Sequence, residues 1–463
     1  MDYTEFRNSL RNRKVLVVGM GRSGKAAIDV LLRFGADVTA QDASDPSKID
    51  TALTEHLGKE GVQTYFGRLP EDMSAFDMLV LSPGVPVDLP FIREAADSGA
   101  EIIGELELAY RITPARFAAI TGTNGKTTTT TLVGDIFRAA GRKTAVVGNI
   151  GNPVVTEAVN AGEDEWLVTE VSSFQLETTK EFRPFISAIL NLTPDHLNRH
   201  KTMEAYGNAK ARVTAMQSED EFLVINGDDP AAMALTAKSK AVLIPFSRKS
   251  VPEGPGAYLD GTGIYVRDLS GCEHYICDTG DLRIIGDHNI ENALAAAAMC
   301  FFAGIDAETI GTAVKEFPGV EHRIEFCGNM NGVDFYNDSK GTNVDASVIA
   351  IKALRNNIIL IAGGDGKSQD FTELAEHLPG AVTALILLGR DAPIIEEVAR
   401  KAGFTEIYNC STMEECVRTA ADKARPGDKV LLSPGCASWD MYTSYEVRGR
   451  HFKQCVKDII DMA

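Results

Sequence analysis

A glycine-rich turn that ends in lysine and threonine is the segment of this 463-residue chain that points most directly to chemistry. The run AAITGTNGKTTTTTLVG spaces Gly122, Gly125, Lys126 and Thr127 like the end of a phosphate-binding loop, although Ile120 stands where the full pattern has its first glycine. Backbone N–H groups of such a turn bind phosphate oxygens, the lysine neutralises the β- and γ-phosphates, and the threonine hydroxyl holds Mg²⁺. A polar helix cap with a solvent-exposed lysine is the alternative. We predict ATP binding by Gly122, Thr123, Asn124, Gly125, Lys126, Thr127 and Thr128.

A second glycine turn lies near the start of the chain. The run VLVVGMGRSGKAA places Gly19, Gly21 and Gly24 directly after a predicted strand and at the start of a predicted helix, and Asp42 ends the next strand. Glycines let the backbone approach a pyrophosphate at a helix N-terminus, and the carboxylate suits a ribose hydroxyl. The pattern predicts a nucleotide-diphosphate site. A nicotinamide dinucleotide and a tight turn without a ligand remain alternatives.

Carboxylate and imidazole groups follow two other predicted strands. Glu170 ends the run EWLVTE, and TPDHLNRH offers Asp195 and His196 after a further strand. Open α/β sheets bind ligands at the carboxyl ends of their strands, and Mg²⁺ needs few protein ligands beside water and phosphate. We therefore expect a Mg²⁺ site near the ATP site. Lys210 lies in a predicted helix, YGNAKARV, where an ordinary solvent-exposed lysine is the default interpretation.

Cationic and hydroxyl side chains collect in the last third of the chain. They occur in GVEHRIEF, FYNDSKGTN, GGDGKSQD and LLSPGCASWDMYTSYEVRGR. Cationic groups at strand ends of an acidic protein are candidates for binding anions, and surface ion pairs are the alternative. The candidate residues are His322, Arg323, Asp338, Lys340, Thr342, Lys367, Ser438 and Tyr445.

Short runs rich in Val and Ile, each followed by a segment with helical periodicity, must position these groups. The alternation predicts an α/β fold of three domains, each with a mainly parallel sheet flanked by helices. The N-terminal and C-terminal domains are predicted to be Rossmann-like, and the central one to be a P-loop domain. Residues 254–285 predict a small antiparallel sheet, and the Asn-Gly pair at 331–332 predicts a tight hairpin. We place the domain boundaries near residues 104 and 318.

The composition limits the classes of function. A net charge of −19 disfavours broad binding to nucleic acid or to anionic membranes, so any anionic ligand must be held by local groups. The eight cysteines all lie between Cys272 and Cys455, in a pattern that fits neither a disulfide framework nor a zinc cluster. The N-terminal residues have no apolar signal core, and no stretch approaches the ~18 apolar residues of a membrane span. We expect a reduced, cytoplasmic protein.

Taken together, the motifs resemble those of one family. TGTNGKTTT, EVSSFQLE, TPDHLNRH, AKAR, HNIENALAA, EHRIE, NDSKGTN, GGDGKSQDF and LSPGCAS occur in the order seen in the Mur ligases. The resemblance covers the whole chain and implies a UDP-substrate domain at 1–104, an ATP-binding domain at 105–318 and an amino-acid-binding domain at 319–463. It implies an enzyme of peptidoglycan precursor synthesis that uses ATP and Mg²⁺, as two ions, to add D-glutamate to UDP-N-acetylmuramoyl-L-alanine. The D-glutamate assignment depends on residues 337–343, 363–370 and 433–445.

The resemblance also implies roles for single residues. The UDP of the muramoyl substrate would contact Gly21, Arg22, Ser23, Asp42, Ser82, Pro83 and Gly84, and its alanine end would approach Asn149, Ser172 and His196. ATP would further contact Asn289, Asn292, Arg323, Asp338 and Lys340. D-Glutamate would contact Thr342, Lys367, Ser438 and the backbone of Tyr445. Mg²⁺ would be held by Thr127, Glu170, His196 and a carbamylated Lys210, and catalysis would depend on Lys126, His196 and Lys210.

The implied reaction is formation of an acyl phosphate with release of ADP, followed by attack of the D-glutamate amine and release of phosphate. Lys126 and Mg²⁺ would reduce the repulsion between an anionic carboxylate and ATP. His196 or a phosphate oxygen would accept the proton of the amine. The expected partners are these small molecules, without nucleic acid or membrane, and the expected state is a monomer. The alternatives are a ligase for another amino acid, an NAD-dependent dehydrogenase and a nucleotide-binding regulator without catalysis.

Overall fold

The apolar runs of the sequence form the strands of three sheets in the computed structural model, which describes residues 2–462. Val- and Ile-rich runs suit strands that are covered on both faces, and the inner strands here are buried along most of their length. Each sheet is mainly parallel and is flanked by helices. The predicted α/β fold of three such domains is confirmed.

The first sheet carries the N-terminal glycine turn. Its strands are β1 (Lys14–Val18), β2 (Asp37–Asp42), β3 (Gln63–Phe66), β4 (Met78–Leu81) and β5 (Glu101–Gly104). They pair in the order β3-β2-β1-β4-β5, all in parallel. The chain changes direction of winding at β1, so the ends of β1 and β4 flank the crevice in which such sheets bind ligands. The helices of this domain are α1 (Tyr3–Ser9), α2 (Arg22–Arg33), α3 (Thr51–Lys59) and α4 (Pro90–Asp97).

The second sheet carries the phosphate-binding turn. Its strands are β6 (Arg116–Thr121), β7 (Thr144–Gly148), β8 (Trp166–Glu170), β9 (Ile186–Ile189), β10 (Phe222–Asn226), β11 (Val242–Ser247), β12 (Gly256–Asp260), β13 (Gly263–Arg267) and β14 (Glu273–Asp278). They pair in the order β14-β13-β12-β11-β10-β9-β6-β8-β7. β6 lies between β8 and β9 and is parallel to both, so the three carboxyl ends meet at one edge. Residues that follow these strands are thereby brought together.

Residues 254–285 differ from their prediction. β12, β13 and β14 are antiparallel to one another as expected, but they do not form a separate small sheet. β12 pairs in parallel with β11 through Phe246 with Ala257 and Ser247 with Tyr258, so the three strands extend the second sheet. The alternating pattern predicts strands but does not specify which existing edge they join.

Nine helices of the described chain lie between β5 and the third sheet. They are α5 (Glu105–Arg111), α6 (Lys126–Ala139), α7 (Val154–Ala158), α8 (Ser173–Leu176), α9 (Leu197–His200), α10 (Met203–Ala211), α11 (Pro230–Ala234), α12 (Asp287–Phe302) and α13 (Ala307–Glu316). α6 starts in the phosphate-binding turn and covers β6, β7 and β8. Its buried face, which includes Leu132, Val133, Ile136 and Phe137, holds the turn to the sheet.

The third sheet begins with the predicted hairpin. Its strands are β15 (Glu325–Met330), β16 (Val333–Asn337), β17 (Ile358–Ala362), β18 (Val382–Leu387), β19 (Ile407–Asn409) and β20 (Lys429–Leu432), in the order β15-β16-β20-β17-β18-β19. Only β15 is antiparallel to its neighbour among these described strands, and Asn331 and Gly332 between β15 and β16 have φ of 52° and 83°. The predicted Asn-Gly hairpin is confirmed. The helices are α14 (Val344–Leu354), α15 (Thr372–Glu376), α16 (Ala392–Lys401), α17 (Met413–Lys423) and α18 (Tyr445–Met462).

The described chain divides into two compact units. The first contains the first two sheets and comprises the residues up to Asp281 together with Glu291–Glu316. The second contains the third sheet and comprises Leu282–Ile290 together with Phe317 and the residues after it. Every helix between residues 2 and 462 is too short or too polar to span a bilayer. Each of the eight cysteines is a free thiol.

Candidate active site

The phosphate-binding turn connects β6 to α6 at the carboxyl edge of the second sheet. Gly125 caps the N-terminus of α6 with φ of 82°, in the left-handed region that favours glycine. A Cβ atom there would lie 2.3 Å from Oδ1 of Asn292, so the turn also has no room for a side chain. Oδ1 of Asn292 accepts a hydrogen bond from the Thr129 hydroxyl at 3.2 Å. Asn292, one of the residues predicted to contact ATP, therefore packs against the turn predicted to hold phosphate.

Asn191, which is not among the predicted site residues, shapes the same turn. Its Oδ1 accepts hydrogen bonds from the backbone N–H groups of Thr123 at 3.0 Å and Asn124 at 2.8 Å. Its Nδ2 donates to the Asn124 carbonyl at 3.1 Å. Asn191 follows β9, the strand beside β6, so a neighbouring strand end fixes the shape of the turn. Its position at the end of a predicted strand, just before the TPDHLNRH motif, is the signal that could have identified it.

Two lysine side chains meet at one backbone oxygen of the turn. Nζ of Lys126 donates to the carbonyl of Gly122 at 2.9 Å and to that of Thr123 at 2.8 Å. Nζ of Lys210 donates to the same Gly122 carbonyl at 2.7 Å. The turn therefore brings two lysine amines together where the sequence predicts bound phosphate.

Lys210 is not the solvent-exposed helix lysine of the default interpretation. It is 1% exposed, and its Nζ lies 4.5 Å from the centroid of the Tyr206 ring. Burial, and after it the charge of Lys126, lowers the pKa of Lys210 to about 6, although Asp195 and Glu170 act in the opposite direction. At neutral pH this amine is therefore mostly uncharged and is a nucleophile.

Glu170 ends β8 beside the turn and is almost completely buried. Its Oε1 accepts a hydrogen bond from Nδ2 of Asn149 at 2.8 Å. Its Oε2 is buried and has no hydrogen-bond partner within residues 2–462. A buried carboxylate oxygen without a donor is costly unless a cation compensates it. Glu170 therefore fits a hard cation with oxygen ligands, such as Mg²⁺.

His196 precedes the short helix α9 and lies among aromatic rings. Its backbone has φ of 53°, and its side chain is half exposed. Nε2 lies 3.4 Å from Oδ2 of Asp195, and the ring centroid is 4.9 Å from that of Phe174 and 6.4 Å from that of Tyr206. Tyr206 also contacts Thr123 of the phosphate-binding turn, with 3.3 Å between the two hydroxyl oxygens. The imidazole is therefore accessible and lies next to side chains that line the turn.

A second histidine of this motif is buried and was missed. His200 ends α9, and its Nε2 lies 2.9 Å from the hydroxyl of Ser173. Its ring stacks on Phe174, with 5.3 Å between ring centroids and 17° between planes. Burial lowers the pKa of His200 more than Glu177 raises it. His200 is therefore a neutral, fixed neighbour of His196, and the spacing of the two does not reveal which is buried.

The N-terminal glycine turn has the close packing that its pattern requires. A Cβ atom at Gly24 would lie 1.9 Å from the carbonyl oxygen of Gly19. Oδ2 of Asp42 accepts a hydrogen bond from the Met20 N–H at 2.6 Å, and Oδ1 accepts one from the Ser44 N–H at 2.8 Å. Burial raises the pKa of Asp42, but these bonds outweigh it and the pKa lies below its ordinary value. Asp42 is thus ionised and shapes the turn, whereas its contact with a ribose stays a prediction.

Other predicted substrate residues surround this turn in the first unit. The Ser82 hydroxyl donates to the carbonyl of the first glycine of the turn at 2.7 Å, and Pro83 and Gly84 follow it. The Arg22 guanidinium donates to the Gly151 carbonyl, across to the central domain. Ser172 caps α8 in a reciprocal arrangement with Gln175. Gly21 and Ser23 lie at the start of α2.

The second unit holds the other predicted ATP residues. Oδ2 of the buried Asp338 accepts a hydrogen bond from the Ser433 hydroxyl at 2.7 Å. Burial raises the pKa of Asp338 to about 6, against the Ser433 bond and the charge of Arg323. Nε of Arg323 is buried and lacks a hydrogen-bond partner in the described part of the chain. Nδ2 of Asn289 donates to the Ile285 carbonyl at 2.8 Å. This unit therefore gathers a carboxylate and a guanidinium suited to a polar ligand.

The predicted acceptor residues also lie in the second unit. Ser438 is buried, and Tyr445 starts α18 with its carbonyl accepting a hydrogen bond from the Ser339 hydroxyl at 2.8 Å. Nζ of Lys367 lies 4.4 Å from the centroid of the Trp439 ring. Thr342 precedes α14, and Lys340 donates its backbone N–H to the His322 carbonyl at 3.1 Å. His322 itself is buried, with its Nδ1 2.9 Å from Nδ2 of Asn337.

Three families match successive parts of the chain. The family described as Mur ligase MurD-like, N-terminal domain, matches residues 13–104. The Mur ligase middle domain matches residues 120–300, and the Mur ligase, glutamate ligase domain, matches residues 322–436. The matches follow the order of the three sheets.

Similar proteins extend over the full length. The UDP-N-acetylmuramoylalanine–D-glutamate ligase of Thermoanaerobacter sp. (strain X514) is 47% identical over 97% of this chain and 99% of its own. The protein of that name from Clostridioides difficile (strain 630) is 46% identical over the same shares. Among solved structures, the UDP-N-acetylmuramate-alanine ligase of Thermotoga maritima covers 96% of this chain and 99% of its own with a TM-score of 0.59 and 19% identity, which shows the fold. The chain belongs to the Mur ligase family.

Proposed function

We propose that the chain is an ATP-dependent ligase that joins D-glutamate to UDP-N-acetylmuramoyl-L-alanine and releases ADP and phosphate, in cytoplasmic synthesis of peptidoglycan precursors. The observation that carries this proposal is the full-length similarity, at 47% and 46% identity, to relatives named for that reaction. The phosphate-binding turn, the buried carboxylate of Glu170 and the buried amine of Lys210 at one sheet edge support it.

The first step is transfer of the γ-phosphoryl group of ATP. A carboxylate oxygen of the muramoyl-alanine attacks the γ-phosphorus, and the bond to the bridging oxygen breaks, so ADP leaves with the electron pair. Both reactants are anionic, and charge neutralisation is therefore the main requirement. Lys126 supplies it from the turn, where its Nζ now bonds two carbonyl oxygens that a phosphate would replace. Backbone N–H groups at the start of α6 bind further phosphate oxygens.

The second step is attack of the D-glutamate amine on the acyl carbon. The amine must lose a proton as the tetrahedral intermediate forms, and phosphate then leaves. We propose His196 or a phosphate oxygen as the acceptor of that proton. The half-exposed imidazole of His196, beside Phe174 and Tyr206, supports this role because it is accessible to a ligand and has an orientation set by two rings.

We propose that Glu170, Thr127, His196 and a modified Lys210 hold Mg²⁺. The unpartnered Oε2 of Glu170 is the feature that fits a bound cation. Mg²⁺ at this position would lower the repulsion between ATP and the substrate carboxylate. Glu170 would orient the ion, because the Asn149 amide already fixes the other oxygen of its carboxylate.

We propose that Lys210 is carbamylated. Its amine is mostly uncharged at neutral pH, so it can attack CO₂ and lose a proton to form an anionic carbamate. The carbamate would replace a buried neutral amine by an anionic oxygen ligand for Mg²⁺. Lys210→Ala should lose ADP release and regain part of it with added formate or acetate. Lys210→Arg is the control, because its side chain fills the space and should not be rescued. Loss without rescue in Lys210→Ala would contradict the carbamate.

We propose that the remaining predicted residues bind the substrates. The UDP of the muramoyl substrate is assigned to Gly21, Arg22, Ser23, Asp42, Ser82, Pro83 and Gly84, and its alanine end to Asn149 and Ser172. ATP is assigned to residues 122–128 with Asn289, Asn292, Arg323, Asp338 and Lys340. D-Glutamate is assigned to Thr342, Lys367, Ser438 and the backbone of Tyr445. The corresponding domains are 1–104, 105–318 and 319–463, in a monomer.

The test is a panel of acceptor amino acids. ADP release is measured with ATP, Mg²⁺ and UDP-N-acetylmuramoyl-L-alanine, and D-glutamate, L-glutamate, L-alanine and diaminopimelate are added one at a time. We expect ADP release only with D-glutamate, and Lys126→Ala should abolish it without unfolding the chain. A preference for another amino acid would contradict the acceptor assignment. Oxidation of a nicotinamide cofactor, or ATP binding without turnover under any of these conditions, would reject the ligase.

A further inference from the structure

Arg199 links the two domains of the first unit beside the candidate active site. It lies in α9, the helix that His196 precedes, and its guanidinium reaches a loop of the N-terminal domain. Nη1 donates to the carbonyl of Gly84 at 3.3 Å, and Nη2 donates to the carbonyl of Val85 at 3.0 Å. Nη2 also donates to Oε2 of Glu177 at 2.6 Å. Because the Arg199 and Glu177 side chains are only 17% and 16% exposed, these charge-assisted bonds are largely shielded from water.

The orientation of the guanidinium is fixed by residues around it. Its central carbon lies 5.0 Å from the centroid of the Phe174 ring, which stacks on His200 on one side and contacts His196. The second carboxylate oxygen of Glu177 lies 3.4 Å from Nδ1 of His200. Arg199 is therefore held by the same side chains that surround His196.

The loop held by Arg199 is in turn bonded to the N-terminal glycine turn. The Ser82 hydroxyl donates to the Gly19 carbonyl at 2.7 Å, and the Val85 N–H donates to the Ser82 carbonyl at 3.0 Å. The same Gly19 carbonyl has Gly24 packed directly against it. A continuous set of hydrogen bonds thus runs from α9 through residues 82–85 to the turn that the sequence predicts to bind a diphosphate.

We propose that Arg199 is a positioning residue that fixes the loop 82–85, and through Ser82 the glycine turn, relative to His196. The inference rests on the proposed function, because it requires that the UDP end of the muramoyl substrate binds at the glycine turn and that its carboxylate end lies near His196. One substrate molecule then spans both domains. Its carboxylate is placed for reaction only when the two ends of its site keep a fixed separation.

The role predicts a selective effect on one substrate. In the full-length enzyme, Arg199→Ala should raise the KM for UDP-N-acetylmuramoyl-L-alanine about ten- to a hundredfold, as expected for loss of charge-assisted hydrogen bonds. The KM values for ATP and D-glutamate should stay within about threefold of the wild type. Arg199→Lys should show most of the effect, because a single ammonium cannot match the fork that bonds two carbonyls and a carboxylate.

Arg33 offers a matched control. Its Nη1 donates to Oδ1 of Asn160 at 2.8 Å, so it also joins the N-terminal domain to the central domain, but through an exposed pair that does not involve the loop 82–85. Arg33→Ala should leave all three KM values unchanged. Glu177→Gln should raise the KM for the muramoyl substrate less than Arg199→Ala does, and the double variant should be no worse than Arg199→Ala alone.

The outcomes separate the inference from the proposed function. Thermal midpoints are measured for every variant, because a purely structural arginine would lower the midpoint and change all three KM values alike. That result, or unchanged KM values in Arg199→Ala, would overturn the positioning role while wild-type ADP release with D-glutamate keeps the function. Absence of that release in the wild type would reject the proposed function, and the inference with it.

Discussion

Replacing Lys210 by methionine should stabilise the unmodified protein while removing its activity. The Lys210 amine is buried and donates one hydrogen bond, to the Gly122 carbonyl at 2.7 Å. Its pKa is about 6 in the folded protein, against an ordinary value of 10.5. Between these two values the unfolded chain carries a proton that the folded chain has released. The free energy of unfolding therefore rises with pH across this window, and the lysine destabilises the fold most below pH 6.

The size of the effect follows from the same pKa values. The lowered pKa corresponds to a cost of about 6 kcal/mol below pH 6 and about 5 kcal/mol at pH 7. Methionine has a similar length and no charge, and it forgoes a hydrogen bond worth about 1 kcal/mol. Lys210→Met should thus raise the free energy of unfolding at pH 7 by roughly 3–4 kcal/mol. The gain should vanish as the pH approaches the ordinary pKa of lysine.

The assay is urea unfolding of both proteins between pH 6 and 10 in CO₂-free buffer, so that the lysine stays unmodified. Lys59→Met is the control, because Lys59 is exposed in α3, and its unfolding free energy should match the wild type within about 0.5 kcal/mol at every pH. ADP release by Lys210→Met is measured in parallel and should be lost. A variant that is less stable than the wild type at pH 7, or a difference that does not change with pH, would refute the assignment of a neutral buried amine.

Three further predictions concern the two turns and the carboxylate of Glu170. Glu170→Gln keeps the size of the side chain but removes its charge. The kcat should therefore fall about a hundredfold, and the Mg²⁺ concentration for half-activity should rise. An unchanged Mg²⁺ titration would contradict the metal role. Asn191→Ala should raise the KM for ATP about tenfold, because the Asn124 N–H loses its acceptor and the Thr123 N–H keeps only the Asn191 carbonyl at 3.1 Å. Kinetics at varied ATP test this. Gly24→Ala should weaken binding of UDP-N-acetylmuramoyl-L-alanine in calorimetry, because its Cβ would lie 1.9 Å from the Gly19 carbonyl oxygen. Gly58→Ala in α3 is the control and should bind the substrate normally, because no atom lies within 4 Å of its added Cβ.

Local patterns in the sequence were sufficient for the fold class and for the conformation of the two turns, but not for the sheet edge that β12–β14 join. Runs of Val and Ile indicate buried parallel strands, and the Asn331-Gly332 pair indicates a hairpin, because each depends on a few adjacent residues. The glycine at 125 has the left-handed backbone that its motif requires. These features are encoded within one element and its immediate neighbours.

The contacts that shape the site join residues that are far apart in the sequence, and local sequence patterns do not encode such contacts. Asn191 bonds the phosphate-binding turn because β9 lies beside β6, and the order of strands in a sheet is not written in their individual patterns. Burial distinguishes His200, the last residue of α9, from His196, which precedes that helix. The burial of Lys210 is likewise not evident from the sequence, since its helix has an ordinary polar sequence and only packing removes its amine from water.

The hydrogen bonds that Asn191 accepts have a consequence for amide hydrogen exchange. The N–H groups of Thr123 and Asn124 already bond a side-chain oxygen, so they should exchange slowly with deuterated solvent before any nucleotide arrives. ATP binding should therefore change exchange little at these two positions. A map of the nucleotide site drawn from the change in exchange alone would miss the first half of the turn that holds the phosphates.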